Sequence, residues 1–173
     1  MEFYSYRKNK PHVVALSISK GGIPKQPVDS AGVRYAGLEG DGHNHEKHNR
    51  PAQAVCLQDE EFLEELRGEG YPLYPGTIGE NITVRNLYVQ RLQPGDVLKF
   101  ENGLTVQLTK ERKPCYVLDS IDPKLKEAIM GRCGYYAQVL QEGMIRAGET
   151  VEVQKAVGNS NMDDALKAAM QLP

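Results

Sequence analysis

Glycine and proline divide the chain into short segments, and this punctuation restricts the folds that are open to it. The 173 residues include 17 Gly and 10 Pro, which is typical of a chain with many tight turns. The segments between the turns are short runs in which apolar and polar residues alternate, and this pattern predicts β-strands. We therefore predict a mainly β fold with a few short helices.

The same pattern assigns individual elements. Asn102-Gly103 lies between two alternating runs and predicts a β-hairpin. One helix is predicted over residues 58–67 with Asp59 as its cap, and another begins at Asp122-Pro123 and ends at Gly131. The predicted strands span 12–19, 33–38, 52–57, 81–84, 97–100, 104–108, 135–140 and 150–154, with a loop or edge strand over 23–28 and a turn at 142–143.

Length, charge and hydropathy exclude several classes of protein. We predict a polar lead-in over residues 1–11, one domain over 12–157 and a helical tail over 158–173. The net charge of −2 disfavours a nucleic-acid surface. Because the chain has no long apolar run and its first residues have no apolar core, we expect neither a membrane helix nor a signal peptide, and we expect a cytoplasmic protein.

The cysteines are the first candidates for chemistry. Cys56, Cys115 and Cys133 are widely spaced and contain no CxxC pair, which argues against a disulfide framework and a finger-type zinc site. Cys56 lies in an apolar run and is predicted to be a core residue. Cys115 follows the basic segment Lys110-Glu111-Arg112-Lys113, and nearby positive charge favours the thiolate that binds metals and attacks electrophiles. The alternative for Cys115 is a buried thiol beside a solvated basic run.

A glycine-rich polar segment over residues 37–48 holds three of the four histidines. Its glycines let the backbone approach a ligand closely. Asp41, His43, His45 and His48 have ligand types that suit zinc, iron or nickel, but the glycines oppose the helix that an HExxH motif needs. A flexible ligand-binding loop and a surface loop rich in histidine are the alternatives.

Two further segments are candidates on residue chemistry alone. Glu80 and Asn81 follow turn glycines, where they either satisfy neighbouring backbone groups or contact polar edges of a ligand. Lys25 lies between Pro24 and Pro27, and it is either an ordinary exposed lysine or a contact for an anion.

Three separated segments together resemble one family. Gly37-Leu38-Glu39-Gly40-Asp41-Gly42-His43 resembles its Gly-x-x-Gly-Asp-x-His motif. Gly79-Glu80-Asn81-Ile82-Thr83 resembles its Gly-Glu-Asn-hydrophobic-Thr motif, and Lys113-Pro114-Cys115 resembles its basic-Pro-Cys motif. The family is the MOSC domain, named after the C-terminal domain of molybdenum cofactor sulfurases, and the chain looks most like its stand-alone bacterial members.

The resemblance implies a fold, a cofactor and a set of site residues. The fold is a MOSC-type β-barrel with a few short helices, and the cofactor is molybdenum cofactor (molybdopterin), a pterin with a phosphate and a dithiolene-held metal. The family's key cysteine corresponds to Cys115, which ligates molybdenum in some members and is proposed to carry sulfur as a persulfide in others. Candidates for the phosphate and pterin are Lys25, Arg34, Arg112 and Lys113, and candidates for the pocket wall are Gly40, Asp41, His43, His48, Asn81 and Thr83.

Three functional hypotheses follow. In the first, the chain is an oxidoreductase in which Cys115 holds molybdenum and an N-hydroxylated or N-oxide substrate is reduced with electrons from a partner reductase. In the second, Cys115 carries a persulfide, or the chain hands on the cofactor, and a cysteine desulfurase is the expected partner. In the third, His43, His45 and His48 bind a simple metal ion without Cys115. The alternative to all three treats the motifs as turns, a hairpin end and a core thiol.

Overall fold

The computed structural model describes residues 9–42 and 51–156 of the chain. This part consists mainly of β-strands with a few short helices, as the sequence predicts. The predicted helical tail and the three histidines His43, His45 and His48 lie outside the described residues.

Eleven strands run through the described residues. They are β1 (His12–Ile18), β2 (Gln26–Val28), β3 (Ser30–Arg34), β4 (Gly37–Leu38), β5 (Val55–Asp59), β6 (Ile82–Arg85), β7 (Val97–Phe100), β8 (Thr105–Glu111), β9 (Tyr135–Gln141), β10 (Gly143–Arg146) and β11 (Val151–Gln154). The hairpin predicted at Asn102-Gly103 is confirmed, because it joins β7 to its antiparallel neighbour β8.

Helices are short and few in the described ranges. They are α1 (Glu60–Gly68), α2 (Leu125–Ala128) and the 3-10 turns Pro51–Gln53, Val89–Arg91 and Tyr116–Ser120. In residues 9–42 and 51–156, none of the helices has the length and apolar character that crossing a membrane requires.

The strands form a sheet of eight and a separate sheet of three. The larger sheet has the order β11-β7-β8-β9-β5-β6-β1-β2, and the smaller one has the order β10-β3-β4. Strands β5 and β6 are parallel, and the chain between them crosses over through α1, as a parallel pair requires. Strand β2 lies at an edge and pairs with β1, which agrees with the edge strand predicted around residues 23–28.

The predicted closed barrel is not confirmed. In the described part of the chain, β11 and β2 lie at opposite edges of the larger sheet and do not pair with each other. The start of β1 approaches the segment before β11 through one bridge, between His12 and Thr150, and through a 2.8 Å hydrogen bond from Val13 N to Glu149 O. The sheet therefore curls far enough for these segments to meet, without a ladder of paired residues that closes it.

Within residues 9–42 and 51–156, the buried apolar side chains form two separate clusters. The main core follows the larger sheet and includes Leu16, Leu57, Ile82, Leu98 and Leu108. The second cluster, which we call the helical core, consists of Leu63, Leu66, Leu73, Ile78, Leu118, Leu125, Ile129 and Cys133. It holds α1, α2 and the 3-10 turn Tyr116–Ser120 together, because these elements each have one apolar face to bury.

The first helix begins later than predicted, because the residues before it belong to β5. Asp59 pairs with Val84 in the parallel ladder of β5 and β6. It occupies the capping position of α1, but its side chain makes no capping hydrogen bond. Its carboxylate instead accepts hydrogen bonds from the backbone N of Val89 at 2.8 Å and of Gln90 at 3.0 Å. The predicted cap is therefore wrong, and Asp59 fixes a distant 3-10 turn.

Other boundaries differ from the prediction as well, and residues 51–53, where a strand was predicted to begin, form a 3-10 turn. Helix α2 is shorter than predicted because Asp122 makes a local turn, in which its Oδ1 accepts a 2.8 Å hydrogen bond from Lys124 N. A turn at Tyr35-Ala36 breaks the strand predicted over 33–38 into β3 and β4. Strand β10 begins at Gly143, which was predicted to belong to a turn, and it pairs with β3 in the smaller sheet.

The end of β8 leads directly to the segment that contains Cys115. Strand β8 pairs with β9 as far as Glu111 and Tyr135. One residue later, Arg112 N donates a 2.9 Å hydrogen bond to Gly134 O. The chain then leaves the sheet before Cys115, so the prediction that this cysteine lies just past a strand is confirmed.

Candidate functional site

Asp41 is the centre of a buried polar network that joins three separate segments. Its Oδ2 accepts hydrogen bonds from Lys25 Nζ at 2.6 Å and from Asn81 Nδ2 at 2.8 Å. Its Oδ1 accepts a 2.9 Å hydrogen bond from Ser19 N. The carboxylate is fully buried and the Lys25 side chain is 12% exposed. Three sequence-predicted site residues are therefore in direct contact.

Asn81 connects this network to the larger sheet. Its side-chain Oδ1 accepts a 3.1 Å hydrogen bond from Cys56 N, and its backbone N donates to Cys56 O at 2.8 Å. Its backbone O accepts a 2.9 Å hydrogen bond from Ser17 N. Asn81 thus lies between β1 and β5, and its amide can satisfy both strands because it offers a donor and an acceptor.

Glu80 is buried inside the turn that precedes Asn81. Its Oε1 accepts hydrogen bonds from Gly76 N at 2.8 Å and from Thr83 Oγ1 at 3.0 Å, whereas its Oε2 has no hydrogen-bond partner among the described residues. Burial raises the pKa of Glu80, and the hydrogen bond from Gly76 and the charge of Arg112 oppose that rise. A Cβ at Gly76 would lie 2.8 Å from Ser17 Oγ, so the turn requires glycine here.

Arg112 precedes Cys115 by three residues in the chain and is only 9% exposed. Its Nη2 donates a hydrogen bond to Ile78 O, and its Nη1 has no hydrogen-bond partner in the described part of the chain. Burial lowers the pKa of Arg112, but Cys56, Cys133 and other neighbours raise it, and the net pKa lies above its ordinary value. Arg112 therefore carries a buried positive charge, which ties the turn before Glu80 to the end of β8.

Cys115 is partly exposed at the start of the 3-10 turn Tyr116–Ser120. Its backbone is extended, with φ −125° and ψ 170°, and its carbonyl oxygen accepts a 3.1 Å hydrogen bond from Leu118 N. The side chains of Lys113 and Tyr116 on either side of it are exposed. A reactant or ligand can therefore reach the thiol from solvent, beside one exposed cation.

The two other cysteines lie close to the buried guanidinium. Burial raises the pKa of Cys56, and the positive charge of Arg112 opposes that rise. Burial also raises the pKa of Cys133 to about 11, where Arg112 lowers it and the charges of Cys56 and Cys115 raise it. The prediction that Cys56 is a buried residue is confirmed, but its surroundings are charged as well as apolar.

The remaining predicted site residues lie in different places. Arg34 is on the surface, where its Nε is 2.8 Å from Glu39 Oε1 and its Nη1 is 3.7 Å from Glu142 Oε2. Thr83 is buried and donates to Glu80 rather than facing solvent. Gly40 has a φ of 84° in the turn that leads to Asp41, which L-residues with side chains rarely adopt. His43 and His48 lie outside the described residues.

Sequence reasoning missed several residues that complete this arrangement. Cys133 was given no role, and the carbonyl groups of Ile78 and Gly134 could not be recognised from composition. The sequence carries no local signal for the contact between Gly134 and Arg112, because this contact follows from the register of the β8–β9 pair. In the described ranges, no group of three or more His, Cys, Asp and Glu side chains is arranged to hold a metal ion. The hypothesis of a histidine metal site is untested, since its histidines fall outside those ranges.

The chain belongs to the MOSC domain family, whose model matches residues 44–152. Among solved structures it is similar to YiiM from Geobacillus stearothermophilus, with 27% sequence identity and a TM-score of 0.70 over 84% of this chain and 75% of that one. The resemblance deduced from the three motifs is thereby confirmed.

The chain spans only part of the length of two curated relatives that it matches. The chain is 34% identical over 141 residues to the uncharacterized protein YflK of Bacillus subtilis (strain 168), which covers 76% of this chain and 62% of that protein. It is 30% identical over 125 residues to a protein named reductase from Gibberella moniliformis (strain M3125 / FGSC 7600), covering 68% of this chain and 22% of that protein.

Proposed function

We propose that this MOSC protein binds molybdenum cofactor with Cys115 as the protein ligand of the metal and serves in the reduction of N-hydroxylated or N-oxide substrates. The observation that carries the proposal is the partly exposed thiol of Cys115, which lies beside exposed Lys113 while its segment is anchored from behind by buried Arg112. The name of the relative from Gibberella moniliformis supports a redox function.

The residues present fit a molybdenum-bearing pterin with a phosphate group. A thiolate is a soft ligand that suits such a metal, and Cys115 makes no side-chain capping hydrogen bond in the turn that it begins. Lys113 is exposed and offers a cation for a phosphate. Arg112 Nη1 is a buried donor without a hydrogen-bond partner among the described residues, as expected where a polar group of a ligand or a water is missing.

The chain's own residues divide the work of binding. Cys115 and Lys113 would contact the cofactor, and Lys25 would offer its remaining donors from the edge of the Asp41 network. Asp41 and Asn81 hold the loops in place and contact each other rather than solvent. The bound cofactor supplies two-electron redox chemistry, and a partner reductase is the proposed source of electrons.

Metal and pterin analysis of purified protein tests this function. The chain is expressed in a host that makes the cofactor, and molybdenum is measured by elemental analysis and pterin by fluorescence after oxidation. We expect near-stoichiometric amounts of both, lost in Cys115→Ser and kept in Cys56→Ala, which removes a buried thiol instead. Unchanged molybdenum in Cys115→Ser would contradict the proposal.

The second candidate function is sulfur transfer through a persulfide on Cys115. It relies on the same access of solvent to the thiol, but it needs no metal and takes a cysteine desulfurase as partner. After incubation with a desulfurase and free cysteine, mass spectrometry should show one added sulfur atom on Cys115. A chain that lacks molybdenum and pterin but gains this sulfur would favour this function over the reductase.

A further inference from the structure

The segments that contain Cys115 and Cys133 run side by side at the end of the larger sheet. The last paired residues of β8 and β9 are Glu111 and Tyr135. The hydrogen bond of 2.9 Å from Arg112 N to Gly134 O extends this pairing by one step on both strands. Cys133 directly precedes Gly134, which accepts this last hydrogen bond. Cys115 follows Arg112, which donates it, by three residues.

The turn that follows Cys115 contributes to the same apolar cluster as Cys133. Leu118 N donates to Cys115 O at 3.1 Å, which closes the first turn after the cysteine. Leu118 and Cys133 belong to the same cluster, the helical core. Cys133 is 1% exposed, whereas Cys115 is partly exposed. Cys115 is therefore accessible to reagents, and Cys133 is shielded from them.

The electrostatics of the two thiols agree with their proximity. Burial is the main cause of the raised pKa of Cys133, the charge of Arg112 opposes that rise, and the charges of Cys56 and Cys115 add to it. Cys56 is the other buried thiol near this charge, but it lies within β5 between two neighbouring strands. Residues 113–115 lie beyond the last hydrogen bond of this pairing, so Cys115 can shift towards Cys133 without breaking a strand pair.

We propose that Cys133 is the resolving thiol of Cys115, so that oxidation of Cys115 ends in a reversible disulfide between these two residues. A hydroperoxide oxidises the Cys115 thiolate to a sulfenic acid and is reduced to an alcohol or water. The sulfur of Cys133 then attacks the sulfenic sulfur, the S–O bond breaks, and the hydroxyl leaves as water with the thiol proton. Two electrons pass from the two thiols to the peroxide, and an external dithiol restores both thiols.

This disulfide protects the reactive cysteine and closes the site. It stops Cys115 before the irreversible sulfinic and sulfonic acids, and it withholds the thiolate from a metal or from sulfane sulfur until a dithiol reduces it. The inference goes beyond the proposed function, and it holds for either of the two candidate functions because it requires no bound metal.

The test uses the full chain, purified from a host that does not make the cofactor, and hydrogen peroxide as the oxidant. Remaining thiols are alkylated, and tryptic peptides are mapped by mass spectrometry, since Arg132 and two lysines separate the two cysteines. We expect a Cys115–Cys133 cross-linked peptide and the loss of about two free thiols per chain, both reversed by dithiothreitol. Cys56→Ala should behave as the unmodified chain does.

Cys133→Ala distinguishes resolution from simple proximity. In this variant we expect dimedone to trap Cys115 sulfenic acid, with about one free thiol lost per chain and progression to the sulfinic acid on further exposure. The inference is overturned if the unmodified chain accumulates the sulfenic acid without the cross-linked peptide, or if Cys115 pairs with Cys56 instead. Because no metal is involved, these outcomes are independent of the molybdenum analysis.

Discussion

Lys25 and Asp41 form a buried ion pair of 2.6 Å between two loops that are 16 residues apart in the chain. The side chains are 12% and 0% exposed, so the pair is shielded from solvent. The charge of Lys25 is thereby compensated before any ligand arrives. Asn81 shares the same carboxylate oxygen, which makes this pair the point where three of the predicted site segments meet.

Removing the Asp41 carboxylate should lower stability strongly. Asp41→Ala leaves the ammonium of Lys25 and the amide of Asn81 without their acceptor, and we expect the free energy of unfolding to fall by about 3 kcal/mol. Urea denaturation measures it. The control is Glu39→Ala, which removes an exposed ion pair with Arg34 at 2.8 Å in the same loop and should leave the free energy of unfolding nearly unchanged. Equal losses in the two variants would contradict a buried network.

The sequence predicted the strand content because turn signals and alternation are local. The hairpin at Asn102-Gly103 is one example, since both arms follow from residues within ten positions of the turn. The role of Asp59 could not be predicted in the same way. It precedes a helical segment and looks like a cap, but the residues that donate to it, Val89 and Gln90, are 30 and 31 positions away. Tertiary partners overrode the local preference.

The candidate site was predicted only in part, because its motifs are local but some of its contacts depend on the tertiary structure. The motifs identified Lys25, Asp41 and Asn81, and the structure joins them through hydrogen bonds. Charge alone did not separate Arg112 from its neighbour Lys113, because alternation along an extended segment decides which side chain is buried. The structure buries Arg112 and exposes Lys113. The approach of Cys133 depends on the β8–β9 register, which no local pattern specifies.

Substitution by methionine should therefore destabilise the chain at Arg112 and leave its stability nearly unchanged at Lys113. Arg112→Met removes the donor to Ile78 O and a buried positive charge, and we expect the free energy of unfolding to fall by about 2 kcal/mol. Lys113→Met removes an exposed cation and should change it by less than about 0.5 kcal/mol. If Lys113 contacts the cofactor, its variant loses molybdenum and pterin while remaining folded. Urea denaturation and metal analysis of both variants check this, and a destabilised Lys113→Met would contradict it.

Gly134 should tolerate no side chain. It has a φ of 82°, and a Cβ there would overlap the carbonyl oxygen of Leu57 in the neighbouring strand. We expect Gly134→Ala to lower the free energy of unfolding by about 3 kcal/mol, because strain in φ and a steric clash add together. Gly148 is the matched control, since its φ is 91° but nothing lies within 4 Å of the Cβ position. Gly148→Ala should cost about 1 kcal/mol. Similar losses in thermal or urea unfolding would show that the clash is relieved by movement.

Asp59 should make the chain more stable at mildly acidic pH than at neutral pH. Burial raises its pKa from 3.8 to about 6, and hydrogen bonds from Gln90 and Val89 oppose that rise. Because the folded chain binds the proton more tightly than the unfolded chain, the stabilisation from protonation is complete below 3.8 and is lost as the pH rises through about 6. We expect the Asp59 contribution to the free energy of unfolding to grow by about 1 kcal/mol from pH 7 to pH 5. Asp59→Asn cannot titrate, so urea denaturation of both chains at the two pH values isolates this contribution. An identical pH dependence in the two chains would mean that Asp59 is ionised in the folded state throughout this range.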